Sequence, residues 1–280
     1  MVKASIVGAI LMSLIVTVGL SQLLGGLKNG IQHFDREAVG MAASMMMLAV
    51  IGLWLPTIFG FLDQLERGIK VSSSFEDPAL ISLSRYISMI LLILYGLLLI
   101  FLFRQPSKSR AELIMADAAE VESAWSIRQS TGVLIASTLG VAFVSEILSE
   151  TIEPFGEEMG LSPMFLGLII LPLASTFLDI LVGARMARKN NLNLSLSIAS
   201  NSALQDALFV APILALVSKF LGHEMTLYFG IVQVFALALA VACVIVIAND
   251  AISNWIEGAQ MLAFYFILAL WLFFISNAPA

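Results

Sequence analysis

Leu161-Ser162-Pro163-Met164-Phe165-Leu166-Gly167-Leu168-Ile169-Ile170-Leu171-Pro172-Leu173-Ala174-Ser175-Thr176-Phe177-Leu178-Asp179-Ile180-Leu181-Val182-Gly183-Ala184-Arg185-Met186 holds one carboxylate and, near its end, one guanidinium. The run from Ser162 to Met186 is long enough to cross a hydrocarbon layer of roughly 30 Å, which takes about 20 largely apolar residues in a helix. Pro172 removes a backbone hydrogen bond and is expected to kink or break that helix. Ser175, Thr176 and Asp179 follow at spacings of three and four. Their oxygens therefore share one face, beside the carbonyls that the proline frees. A carboxylate at this depth costs roughly 2.5–3.5 kcal/mol on insertion scales, so it is a functional candidate by default. The plainer reading pairs Asp179 with Arg185 or lets it reach the membrane surface.

The rest of the chain has the same character. Of 280 residues, 60% are hydrophobic and 12% charged, with a mean hydropathy of +0.98. A soluble protein carries about a quarter of its residues as charges, so the apolar excess here has to face lipid. Eight stretches qualify as membrane spans, at about 4–24, 38–61, 82–103, 131–152, 162–186, 194–218, 225–248 and 257–276. The expected fold is an all-α polytopic membrane protein of about eight transmembrane helices. Lys and Arg number 14 against 20 Asp and Glu, a net charge of -6 with no basic patch, which excludes a nucleic-acid partner. The single cysteine, Cys243, excludes a disulfide framework and a Cys/His metal site. There is no phosphate-cradling glycine loop, no HExxH and no nucleophile with a nearby histidine, so neither an enzyme nor a resident cofactor is expected.

The longest polar interruption, from Arg104 to Arg128, reads as a charged linker over 104–130 between three spans in 1–103 and five in 131–280. Lys and Arg are denser on the linker's side of the membrane, nine against five, which places the linker in the cytoplasm and both termini outside. An internal repeat pairs spans one to three with spans six to eight. Ser84-Arg85-Tyr86-Ile87, leading to Tyr95, recurs as Ser253-Asn254-Trp255-Ile256, leading to Tyr265. A repeat with an odd number of spans inserts upside down relative to its copy, the plan of many secondary transporters, so the expected architecture is a partial inverted repeat of three and five spans.

Two further segments carry polar groups at membrane depth. The sixth span holds Asn201, Ser202, Gln205 and Asp206 ahead of Pro212, with Asn201 and Gln205, and Ser202 and Asp206, one turn apart. Small polar residues also join membrane helices with no transport role, so Asn201 and Ser202 stay open between the two readings. Glu146, in the fourth span, is a candidate for a watery vestibule on an ion path. Together these residues offer hard oxygen donors, which suit calcium, magnesium or sodium and not zinc or copper.

These runs resemble a known family. Phe143-Val144-Ser145-Glu146, Ile152-Glu153-Pro154, the stretch from Leu161 to Pro172, Gln205-Asp206-Ala207-Leu208-Phe209-Val210-Ala211-Pro212 and Ser253-Asn254-Trp255-Ile256-Glu257-Gly258 are similar to the second half of the calcium/proton exchangers of the calcium/cation antiporter superfamily. Ala4 to Leu11, Leu23 to Lys28 and Leu48 to Pro56 resemble parts of the first half.

The resemblance implies a calcium (or related divalent cation)/proton antiporter, with calcium as the transported substrate. Its ion-binding set would be Asp179, Thr176, Ser175, Gln205, Asp206, Ser202, Asn201 and Glu146, and Asp179, Gln205 and Thr176 would touch the metal. Family members have eleven spans and a Gly-Asn-x-x-Glu signature in each half. The eight spans here correspond to the last eight. The second signature falls on Ser175-Thr176-Phe177-Leu178-Asp179, with the glutamate shortened to aspartate, and Asp206 stands where the family has an apolar residue.

The expected partners are therefore the lipid bilayer, calcium and protons, and either a second copy or a protein supplying the missing spans. A start upstream of Met1 and a non-transporting or decayed membrane subunit are the alternatives. The expected location is the plasma membrane, with an organellar membrane as the other choice.

Overall fold

The protein was analysed as a computed structural model, which describes residues 1–68, 77–104, 126–222, 225–248 and 251–276. Among the described residues eight helices run in chain order: α1 Val2–Asn29, α2 Arg36–Glu66, α3 Pro78–Arg104, α4 Ile127–Met159, α5 Pro163–Arg188, α6 Leu192–Phe220, α7 Ile231–Ala248 and α8 Trp255–Ser276. Seven are long and apolar enough to cross a bilayer, and α7 is a shorter apolar helix. Most of the expected linker over 104–130, residues 105–125, lies outside the described residues.

Local chemistry sets the helix ends. Asp35 caps α2 by accepting from the Glu37 and Ala38 amides, and Ser126 and Gln129 bond reciprocally at the start of α4. Ser162, Asn191 and Asn254 cap α5, α6 and α8 in the same way. Short strands β1 (Gln32–His33) and β2 (Ile252–Ser253) pair antiparallel, Gln32 opposite Ser253, and tie the exit of α1 to the entrance of α8. Ser84 lies within α3, whereas Ser253 precedes α8.

Pro172 does not break its helix. The chain widens into a π turn at Leu166–Ile170 and resumes as an α-helix at Leu171. Pro212 follows a π turn at Asp206–Val210 in α6 by the same two-residue offset, and α1 carries a third π turn at Met12–Thr17. A π turn adds one residue to a helical turn and so absorbs the hydrogen bond that proline cannot donate.

Helix α1 forms the centre, with 78% of its apolar window buried, and α4 the periphery, with none of its window buried. The centre is possible because glycines let backbones touch. A side chain at Gly8 would strike the Leu168 carbonyl and the Pro172 ring of α5. One at Gly258 would strike the backbone of Gly19 and Leu23, which docks α8 on α1. Helix α4 is exposed along 127–148 and meets the bundle near its C-terminal end, where Gly156 lies against Leu166.

The seventh expected span, 225–248, starts too early. Residues 225–230 form an extended strap, and Leu227, Tyr228 and Phe229 are fully or almost fully buried. Side chains supply the partners that a helix would have given its backbone. The Leu227 amide donates to Ser84 Oγ (3.1 Å) and the Phe229 amide to Thr57 Oγ1 (3.0 Å). Lys3 Nζ donates to Thr226 Oγ1 (3.1 Å) and to the Tyr228 carbonyl (3.0 Å). Hydropathy cannot separate an apolar strap from an apolar helix when both are buried.

At the joint between α2 and α3, Arg67 bridges Asp63 (3.0 Å) and Asp77 (2.9 Å). The Ala79 amide, and then the Arg67 guanidinium, hold the Asp77 carboxyl below the ordinary carboxylate range.

Two outcomes follow from these contacts. Thr57→Val leaves the buried Phe229 amide without an acceptor and should cost about 1–3 kcal/mol, read as earlier thermal unfolding in detergent. Asp77 is held low in the folded protein, so its contribution to stability is full above its unfolded value of 3.8 and fades as pH falls below that. Asp77→Asn should therefore flatten the acid limb of a stability-against-pH curve and leave its neutral region only slightly lower.

Candidate ion-binding site

The π turns of α5 and α6 bring the sequence candidates to one junction. On α5, Thr176 is buried, Asp179 half-buried and Ser175 exposed. The Ser175 and Thr176 hydroxyls donate to the Pro172 carbonyl at 3.1 and 2.7 Å. Their protons are therefore committed, and their lone pairs remain for an acceptor role. The expectation that they would lie beside freed carbonyls is corrected in detail: they bond the proline's own carbonyl, while the Leu168 carbonyl four residues earlier packs on Gly8.

On α6, Ser202 and Asp206 are half-buried, and Asn201 and Gln205 are exposed. Ser202 accepts a hydrogen bond from Ser13 Oγ of α1 at 3.4 Å. Asp206 opens the π turn of its helix, and the Asp179 carboxylate is near enough to act on it electrostatically. Among the described residues no ion pair links Asp179 to Arg185.

Glu146 is not drawn into this group: it is exposed on α4, far from that helix's contact with the bundle. No set of three His, Cys, Asp or Glu side chains converges among the described residues. The donors are thus a carboxylate pair supplemented by neutral hydroxyl and amide oxygens. Sequence reasoning missed Ser13, whose signal was the four-residue spacing Ser13, Thr17, Ser21 along α1.

Two carboxylates at close range repel when both are charged, and a cation or a proton relieves that repulsion. Calcium takes six to eight oxygens at about 2.3–2.6 Å, each carboxylate giving one or two. Ser175, Asn201 and Gln205 are exposed.

A helical bundle with proline-bearing spans and mid-span carboxylates fits the class of secondary cation exchangers. Residues 129–274 match the family described as sodium/calcium exchanger protein, and the chain belongs to that family. It is 34% identical to the Ca(2+)/H(+) antiporter of Aphanothece halophytica, over 99% of this chain and 75% of that protein. It is 32% identical to vacuolar cation/proton exchanger 4 of Arabidopsis thaliana, over 100% of this chain and 64% of that protein. Its fold matches the solved structure of native YfkE with a TM-score of 0.78 and 32% identity, covering 97% of this chain and 74% of the other. The protein is an integral membrane protein of the all-helical exchanger fold.

If the carboxylate pair is the cation's seat, calcium should raise the thermal stability of the detergent-solubilised protein. The double variant Asp179→Asn/Asp206→Asn should lose that calcium-dependent rise without losing its fold.

Proposed function

We propose that this protein exchanges calcium, or a related divalent cation, for protons. The observation that carries the reading is that Asp179 and Asp206, the mid-span carboxylates, stand on two helices that each widen into a π turn just ahead of a proline. The pair holds protons or the divalent ion, and not both at once. Protons arriving from one side displace calcium toward the other. Alternating access would come from rocking one group of helices against the other around this junction. Thr176, Ser175, Gln205, Ser202 and Asn201 add neutral oxygens, and Glu146 on α4 would serve only if that helix moved inward.

The open edge supports a further part of the proposal. Polar side chains at mid-depth cannot rest against acyl chains, so Ser175, Asn201 and Gln205 call for a protein or water cover. We assign that cover to additional membrane helices packed against this edge. The plasma membrane suits a resemblance to bacterial-type antiporters, and the similarity to a vacuolar exchanger keeps an organellar membrane as the second choice.

The test is calcium uptake by proteoliposomes under an imposed pH gradient, with protein purified together with whatever accompanies it in its own membrane. Uptake should exceed that of empty vesicles and fall at least tenfold in Asp179→Asn. Uptake by that variant equal to wild type would remove Asp179 from the mechanism. Uptake at the empty-vesicle level by wild type would favour a non-transporting subunit.

A further inference from the structure

A line of hydroxyls runs from Asp206 toward the N-terminus of α6, and of these only Ser202 is also among the proposed cation donors. On α1, Ser13, Thr17 and Ser21 recur every four residues, and each is completely buried. On α6, Ser195 and Ser202 lie seven residues apart on one face, with Asp206 four further on. The helices run antiparallel. Ser13 bonds Ser202 at the upper end, and Ser21 stands near Ser195 at the lower end, where both converge on Gly183 of α5. From the position that a Gly183 side chain would take, Ser21 Oγ is 3.2 Å away, Ser195 Oγ 3.3 Å and the Thr17 methyl 3.1 Å.

Neither Ser21 Oγ nor Ser195 Oγ has a hydrogen-bond partner, although Ser195 is only 1% exposed and Ser21 not at all. Unpartnered buried hydroxyls are costly, and the common remedy is a bound water. Gly183 places no side chain between them. Successive steps along α1 are about 6 Å at 1.5 Å per residue, which one water spans. The lower end is close to the surface, since Ser195 sits one turn inside the Asn191 cap of α6 and its amide bonds the Asn191 carbonyl. The upper end is Asp206, about 16 Å further along the same helix.

We propose that Ser195, Ser21, Thr17, Ser13 and Ser202 form a water-bridged proton path from the α6 N-terminal surface to Asp206, separate from the cation's own route to the carboxylates. Each hydroxyl accepts a proton from the neighbour on one side and passes its own to the next, so charge moves while the residues end unchanged. A divalent ion needing six or more oxygens finds no such shell along this seam. The inference rests on the antiporter reading and deepens it by dividing the two substrates between two routes.

Two fluxes separate the cases in one proteoliposome preparation. Exchange of labelled for unlabelled calcium at equal pH requires no net proton movement. Calcium uptake driven by a pH gradient does. In Ser21→Ala/Ser195→Ala, gradient-driven uptake should fall at least tenfold, with calcium/calcium exchange within twofold of wild type. Gly183→Ala, which adds a methyl at the convergence point, should move the same flux in the same direction. Equal loss of both fluxes, or loss of neither, overturns the path and leaves the antiporter reading standing. Absence of both fluxes in wild type overturns the antiporter reading and the path with it.

Discussion

A proline inside a membrane helix leaves a carbonyl without its amide, and hydrocarbon offers that carbonyl no water. In this protein the Leu168 carbonyl, four residues before Pro172, lies against Gly8 of α1. The absence of a side chain at Gly8 lets α1 press onto the weakened turn of α5. The helix widens into its π turn at Leu166–Ile170 where it would otherwise break, and beyond it Ser175 and Thr176 donate to the Pro172 carbonyl. The placement of Asp179, one to two turns beyond, depends on that repair. Helix α6 repeats the device, with Asp206 at the head of its π turn and Pro212 just past the end.

The site is consequently built from helix interruptions that face one central helix. Helix α1 carries the third π turn at Met12–Thr17, and its hydroxyls meet those of α6 through Ser13 and Ser202. What α1 covers is dry and close-packed. What it leaves uncovered, the edge with Asn201, Gln205 and Ser175, is polar at a depth where lipid cannot satisfy it. Helix α4, exposed along most of its length, bounds the same incompleteness from the other side.

Much of this was legible in the sequence because hydrocarbon imposes a strong filter. Span positions followed from apolar runs, and Asp179 and Asp206 stood out because carboxylates at depth are rare. The strap at 225–230 was not legible. Its backbone is satisfied by Ser84, Thr57 and Lys3, which are distant in sequence, and an apolar run alone reads the same whether helical or extended. Nor did the spacing of Asp179 after Pro172 reveal that the helix would bulge and not break, since that depends on Gly8. Glu146 looked like a site residue from its neighbours in sequence, yet α4 holds it away from the pair. The Ser13, Thr17, Ser21 series was visible as a pattern but gained meaning only once Gly183 and Ser195 stood opposite it.

The central claim is that one carboxylate pair holds either protons or the divalent cation. Isothermal titration of calcium into the solubilised protein, repeated in buffers of different ionisation enthalpy, counts the protons released per ion bound. Wild-type protein should release protons as calcium binds, and the release should vanish when Asp179 and Asp206 are both replaced by asparagine. Calcium binding with no proton release, or release unchanged by those replacements, would contradict the account.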